Sequence, residues 1–167
     1  SGPSPRYGAS LAYDSQRGVT VLFGGVDSRG NDAETWGWNG EQWNYRTSAG
    51  PAAAYGLAMV YDRSRHVTQL YGDTGSGDAN WEWDGSAWRA NSTPTRIGPR
   101  RWAGATFDPL RNGMLVIGGE YANTPPGYSG PWRMERLAPR ISEQPAAVSA
   151  ARGRTARFRV AVLDLQS

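Results

Sequence analysis

Apolar residues in this chain recur at every second position or in short unbroken runs, and nowhere with a sustained helical period. Residues 8–13 are mostly small, with one aromatic, as expected of a strand in a crowded place. Residues 19–23 form a nearly continuous apolar run, which suits a strand covered on both faces. Trp36 and Trp38 then share one face of a further strand, and Trp43 returns on the next. Asn39-Gly40 lies between them, and Asp84-Gly85 holds the same place in WEWDGSAW. Those dipeptides are strong hairpin signals, because a tight primed turn needs positive φ at its central residues. With 22 glycines and 11 prolines breaking the runs every few residues, the pattern predicts an all-β chain.

The strands come in repeated sets. WGWNGEQW (36–43) lies over WEWDGSAW (81–88) at an offset of 45 residues, and YGASLAYDSQRGVTVLFGG (7–25) over YGLAMVYDRSRHVTQLYGD (55–73) at 48. PRRWAGATFDPLRNGMLVIGG (99–119) lies over PRYGASLAYDSQRGVTVLFGG (5–25) as a third copy. Three units of four short strands are therefore expected at about 3–50, 51–97 and 98–139, together making a region 1–139. In each, the first strand ends at an aspartate that opens a polar turn: Asp14, Asp62 and Asp108. The second strand ends at Gly24-Gly25 and Gly118-Gly119, with Gly72-Asp73 in the middle unit. The third unit lacks the hairpin dipeptide and the second tryptophan, so its last strand is expected to be short or missing.

The order of apolar strand, di-glycine, variable loop, tryptophan strand, Asn/Asp-Gly turn and second tryptophan resembles the kelch repeat. It is similar to the form found in bacterial extracellular proteins and galactose-oxidase-like propellers, over about four fifths of the chain. The resemblance implies three propeller blades, where a closed ring takes about 4 to 8. A fragment of a larger protein, or self-association through open blade edges, is expected to make up the difference. From residue 140 the character changes. Ala156, Phe158, Val160 and Val162 alternate with Thr155, Arg157, Arg159 and Ala161, and this stretch resembles the opening of an immunoglobulin-like domain. Residues 140–167 are about 28 in number, against about 100 for a full sandwich, so a truncated segment is expected.

Charge narrows the partners. Residues 1–139 hold 13 arginines against 13 acidic residues, and the whole net charge of +3 sits in the tail. Nucleic-acid binding needs a clustered basic surface, which this distribution does not supply. No apolar run has the length of a membrane span. Cysteine is absent, so there is no thiolate nucleophile and no zinc–thiolate site. His66, the single histidine, matches Gly18 and Asn112 in the other units, which marks a turn residue rather than a ligand. The DTGSGD string (73–78) has glycines where a calcium loop needs oxygen-bearing side chains, so a plain loop is expected. No catalytic residue, metal or cofactor is assigned. The copper centre of galactose-oxidase-like relatives needs a cysteine and histidines that this chain lacks.

Trp36, Trp38, Trp43, Trp81, Trp83 and Trp88 recur at matched positions, as packing between neighbouring units requires, and with Gly24, Gly25, Gly118 and Gly119 are assigned structural roles. Trp102 and Trp132 break the pattern. In kelch relatives that bind peptides, arginines of the loop face grip acidic side chains. That resemblance points to Arg29, Arg100, Arg101, Tyr121 and Tyr128 as ligand-binding candidates, with a solvated loop residue as the alternative for each. It implies a non-catalytic scaffold that binds a protein or glycan, part of a secreted or cell-surface protein. The alternatives are the propeller domain of an extracellular carbohydrate-active enzyme whose active site lies outside this chain, and a purely architectural unit.

Overall fold

The structure, a computed structural model, describes residues 2–75, 78–91, 98–110, 112–121, 134–136, 140–141 and 162–163. All regular elements among them are strands. In chain order the first group is β1 (Ser10–Asp14), β2 (Val19–Phe23), β3 (Val26–Asp27), β4 (Gly30–Asn31), β5 (Thr35–Trp38) and β6 (Trp43–Thr47). The second is β7 (Ala58–Asp62), β8 (Val67–Asp73), β9 (Asp78–Trp83) and β10 (Trp88–Ala90). The third is β11 (Arg100–Arg101), β12 (Gly104–Asp108), β13 (Gly113–Ile117), β14 (Glu120–Tyr121) and β15 (Met134–Arg136), followed by β16 (Arg140–Ile141) and β17 (Val162–Leu163).

These strands build two antiparallel four-stranded sheets, β1-β2-β5-β6 and β7-β8-β9-β10, and a three-stranded sheet, β12-β13-β15. Two local details differ from expectation. The first strand of the first sheet starts at Ser10, because Gly8 takes φ +68° and leaves the extended region. Asp73 and Asp78 are not loop residues: they are the last residue of β8 and the first of β9, paired across the ladder.

The turn after the first strand of each of these sheets is held by its aspartate. Asp14 Oδ1 accepts the N–H of Gln16 and of Arg17, Asp62 Oδ1 those of Ser64 and Arg65, and Asp108 Oδ1 that of Leu110. Such a turn closes on a left-handed residue, and Gly18, His66 and Asn112 fill that place with φ of 66°, 57° and 52°. His66 is thus explained by backbone geometry.

The sheets stack through opposite faces. Ala12, Val21 and Phe23 of the first meet Met59, Leu70, Trp83 and Trp88 of the second in one buried cluster. The other face of the second sheet sends Ala58, Val60 and Tyr71 against Met114, Val116, Ala105 and Phe107 of the third. The middle sheet is covered on both sides, and every residue of β7 is buried. A hydrogen bond fixes the first interface: the Trp88 indole N–H donates to Thr35 Oγ1 at 2.8 Å, with both residues buried.

Candidate functional site

The segments leading into β1, β7 and β12 converge at one end of the stacked sheets. Tyr7 and Val26 exchange backbone hydrogen bonds at 3.1 and 2.9 Å. In the third unit the same relation appears as β11 on β14, with Arg100 opposite Tyr121 and Arg101 opposite Glu120. The links are then tied to each other, since Gly56 N–H donates to Gly8 O at 2.8 Å and Trp102 N–H to Gly56 O at 2.7 Å. Superposing the repeats puts Tyr7, Tyr55 and Arg101 in one position and Gly8, Gly56 and Trp102 in the next. The chain of backbone bonds carries that equivalence into space.

The result is an aromatic cluster centred on Tyr55. Its ring lies 6.4 Å from Tyr7, edge-on, and 5.8 Å from Trp102. The Arg101 guanidinium sits 4.8 Å from the Tyr55 centroid, and its Nη1 donates to the Tyr55 hydroxyl at 3.2 Å. Tyr7 and Trp102 remain 64% and 52% exposed. Trp102 has φ +60°, at the place where the two other units have glycine at +68° and +66°. A left-handed backbone costs a residue with a side chain ~1–2 kcal/mol. The two glycines are also what admits the indole: a Cβ on Gly8 would lie 3.1 Å from Trp102 Cη2, and one on Gly56 3.0 Å from Cδ2.

The arginines of this end are engaged within the chain. Arg101 Nη2 lies 3.0 Å from Asp73 Oδ2, a carboxylate 3% exposed. Arg100 is buried and donates from Nη1 to Gly118 O at 2.8 Å, so it is not the surface loop residue expected. It is the repeat equivalent of Arg6, which donates from Nη1 to Gly24 O at 3.1 Å and pairs through Nη2 with Glu34 at 2.8 Å and Asp32 at 3.2 Å. In both, the side chain reaches the carbonyl of the first residue of the di-glycine pair. Arg29 is exposed on the β3–β4 hairpin, with Nη2 2.8 Å from Asp27 Oδ2. The hydrogen bond from Arg29, followed by that from Ser4, holds the Asp27 carboxyl well below the usual carboxylate range. Tyr121 is placed opposite Arg100 by its backbone, and Tyr128 lies outside the described residues. The structure therefore brings Arg100, Arg101 and Tyr121 to one short ladder and leaves Arg29 on a separate hairpin.

The residues assigned structural roles divide. Trp83 and Trp88 are buried between the first two sheets, and Trp81 packs against the same cluster. Trp36 faces Tyr45 at 5.4 Å and Trp38 faces Trp43 at 5.5 Å, both pairs lying within the first sheet. Gly24 and Gly25 take φ of 69° and 100°, and a Cβ on Gly24 would come 2.5 Å from Ala54 O. Gly118 and Gly119 repeat the left-handed pair at 66° and 85°.

Sequence reasoning missed Tyr7, Tyr55 and Asp73 as parts of a site, and left Trp102 without a role. For the two tyrosines the signal was present as the column of the repeat alignment that they share with Arg101. A cleft of about 390 Å³ beside β1, β7 and β12 is lined by Tyr13, Tyr61, Phe107 and Pro109, with Arg63 as its charged group. Among the described residues, no group of three or more His, Asp or Glu side chains is arranged to hold a metal ion. No family model matches this chain, and no curated protein is similar to it.

Proposed function

We propose that this chain is a non-catalytic interaction scaffold, a kelch-type array of three propeller blades within a secreted or surface protein, whose loop face receives a protein or glycan. The observation that carries the reading is the convergence of one repeat position, Tyr7, Tyr55 and Arg101, into a row that leaves aromatic surface open to solvent. Rings and guanidinium groups on a rigid frame are the usual material of a recognition surface. The frame is rigid here because each link is tied to its neighbour through the backbone and Arg101 is tied to Asp73. The arginines then act as struts that set the rings.

The test is a binding screen of the full chain against glycan and peptide arrays, repeated with Tyr55→Ala and Arg101→Ala. Each substitution should weaken the detected interaction by about tenfold or more, since base- or sugar-stacking rings and their supports carry energies of that order. Interactions that survive both substitutions unchanged would show that the ligand is held elsewhere.

A further inference from the structure

The Tyr7–Tyr55–Trp102 cluster carries more than a general binding role. The first two units make the turn at this place with Gly8 and Gly56, so the fold has no need of a large ring there, and glycine at 102 would keep the backbone bond to Gly56. The indole is nevertheless kept on an unfavourable backbone, laid over two glycines and half open to solvent. A side chain retained against its backbone preference points to a use outside the fold.

The surrounding charges decide what that use is. An acidic ligand seeking Arg101 would have to displace Asp73, a carboxylate almost fully withdrawn from water. Arg29 is likewise held by Asp27, Arg6 by Glu34, and Arg100 by a carbonyl. A cationic ligand would meet the Arg101 guanidinium already occupying the Tyr55 face. A neutral ring bearing C–H faces and hydroxyls meets neither obstacle. It can stack on the indole, and the Tyr55 hydroxyl, which accepts from Arg101, keeps its own proton to donate.

Resting on the reading of this end as the binding face, we propose that the Tyr7–Tyr55–Trp102 surface binds a neutral hexopyranose of a glycan, stacked on Trp102 with Tyr7 flanking and Tyr55 donating to a hydroxyl. The contact is open at the surface, so it takes a sugar within a chain as readily as a terminal one.

The experiment titrates the full chain with neutral gluco-, manno- and galacto-oligosaccharides, with oligogalacturonate as the acidic glycan and with an oligoglutamate peptide, following tryptophan fluorescence and calorimetry. At least one neutral oligosaccharide should bind, and Trp102→Gly should weaken it by at least tenfold while the thermal midpoint stays level or rises, because glycine relieves the backbone. A merely structural indole would instead lower the midpoint. Tyr7→Ala serves as the second variant, expected to weaken binding several-fold. Neutral sugar binding that both variants leave intact would overturn the assignment. So would binding of only the acidic glycan or the peptide, an outcome that leaves the loop-face scaffold standing. Loss of all ligands from that face in the array screen would remove both.

Discussion

The two tryptophan hairpins have nearly the same sequence and opposite surroundings. In the second sheet Trp83 and Trp88 are 3% and 8% exposed, pressed into the first sheet and joined to it through Thr35. In the first sheet Trp36, Trp38 and Trp43 stand on the matching face, half-buried, and pair only with rings of their own sheet. Their neighbours follow suit: Leu11 and Tyr13 are exposed, whereas their equivalents Met59 and Tyr61 are buried. Among the described residues, no sheet covers the first one on that side. Hydrophobic pattern therefore encodes which face is to be covered, and a neighbouring sheet decides whether it is.

The comparison breaks most easily at the second tryptophan of each hairpin. Trp88→Ala should cost about 3–5 kcal/mol, the range for removing a large buried aromatic, since it also loses the Phe23 ring at 5.4 Å and leaves Thr35 without its donor. Trp43→Ala should cost about 1 kcal/mol, the scale of a surface aromatic pair. Urea unfolding of the two variants measures the difference, and equal losses would mean that the first hairpin is covered after all.

A smaller effect is expected at the glycine that lies against each of these tryptophans. Gly50 has φ +140°, and a Cβ there would fall 2.6 Å from Trp88 Cδ1. Gly2 meets Trp43 Cδ1 at 3.1 Å, against a ring with room to shift. Gly50→Ala should destabilise by about 2 kcal/mol, as overpacking at a strained backbone does. Gly2→Ala should stay within about 0.5 kcal/mol, the range of surface changes. Thermal melts of the pair check the ratio.

The smallest contrast lies in the hairpin turns themselves. Asp84 accepts the Ser86 hydroxyl and the N–H groups of Ser86 and Ala87, and these bonds, the hydroxyl first, lower its pKa to about 2. Asn39 accepts the corresponding N–H groups of Glu41 and Gln42 without a charge. Because the folded pKa of Asp84 is depressed, its contribution is complete above about pH 4, the unfolded value, and fades as pH falls through about 2. Asp84→Asn should leave stability at pH 7 nearly unchanged and flatten the loss between pH 4 and pH 2. An unaltered acid slope would mean that the turn carboxylate carries no stabilising load.

Much of this was legible in the sequence for local reasons. Alternation, the Asn-Gly and Asp-Gly turns and the aspartate-led turns are each decided within a few residues, so the β1-β2-β5-β6 and β7-β8-β9-β10 sheets could be read directly. The site was not, because it depends on separations that no local pattern records. Arg6 meets Glu34, Arg101 meets Asp73, and Trp102 reaches back to Gly8 across two units. Arg101 looked available in the sequence because its carboxylate partner, Asp73, lies far along the chain. Trp102 looked like an irregularity because the alignment column beneath it holds glycines, and only the φ values show that all three residues share one backbone conformation.

The offset stacking of the sheets has one more consequence. Each interface joins unlike faces, the Met59 and Trp83 side of one sheet against the Ala12 and Phe23 side of the one before. Among the described residues, the outer surfaces are thus a tryptophan-bearing face on the first sheet and, on the third, a face carrying Leu115 and Ile117. Two molecules meeting through these surfaces would do so in the same sense, head against tail, with no two-fold axis to end the association at a pair. Whether such contacts close on themselves is then set by a rotation angle, and a small error in that angle separates a finite ring from a filament.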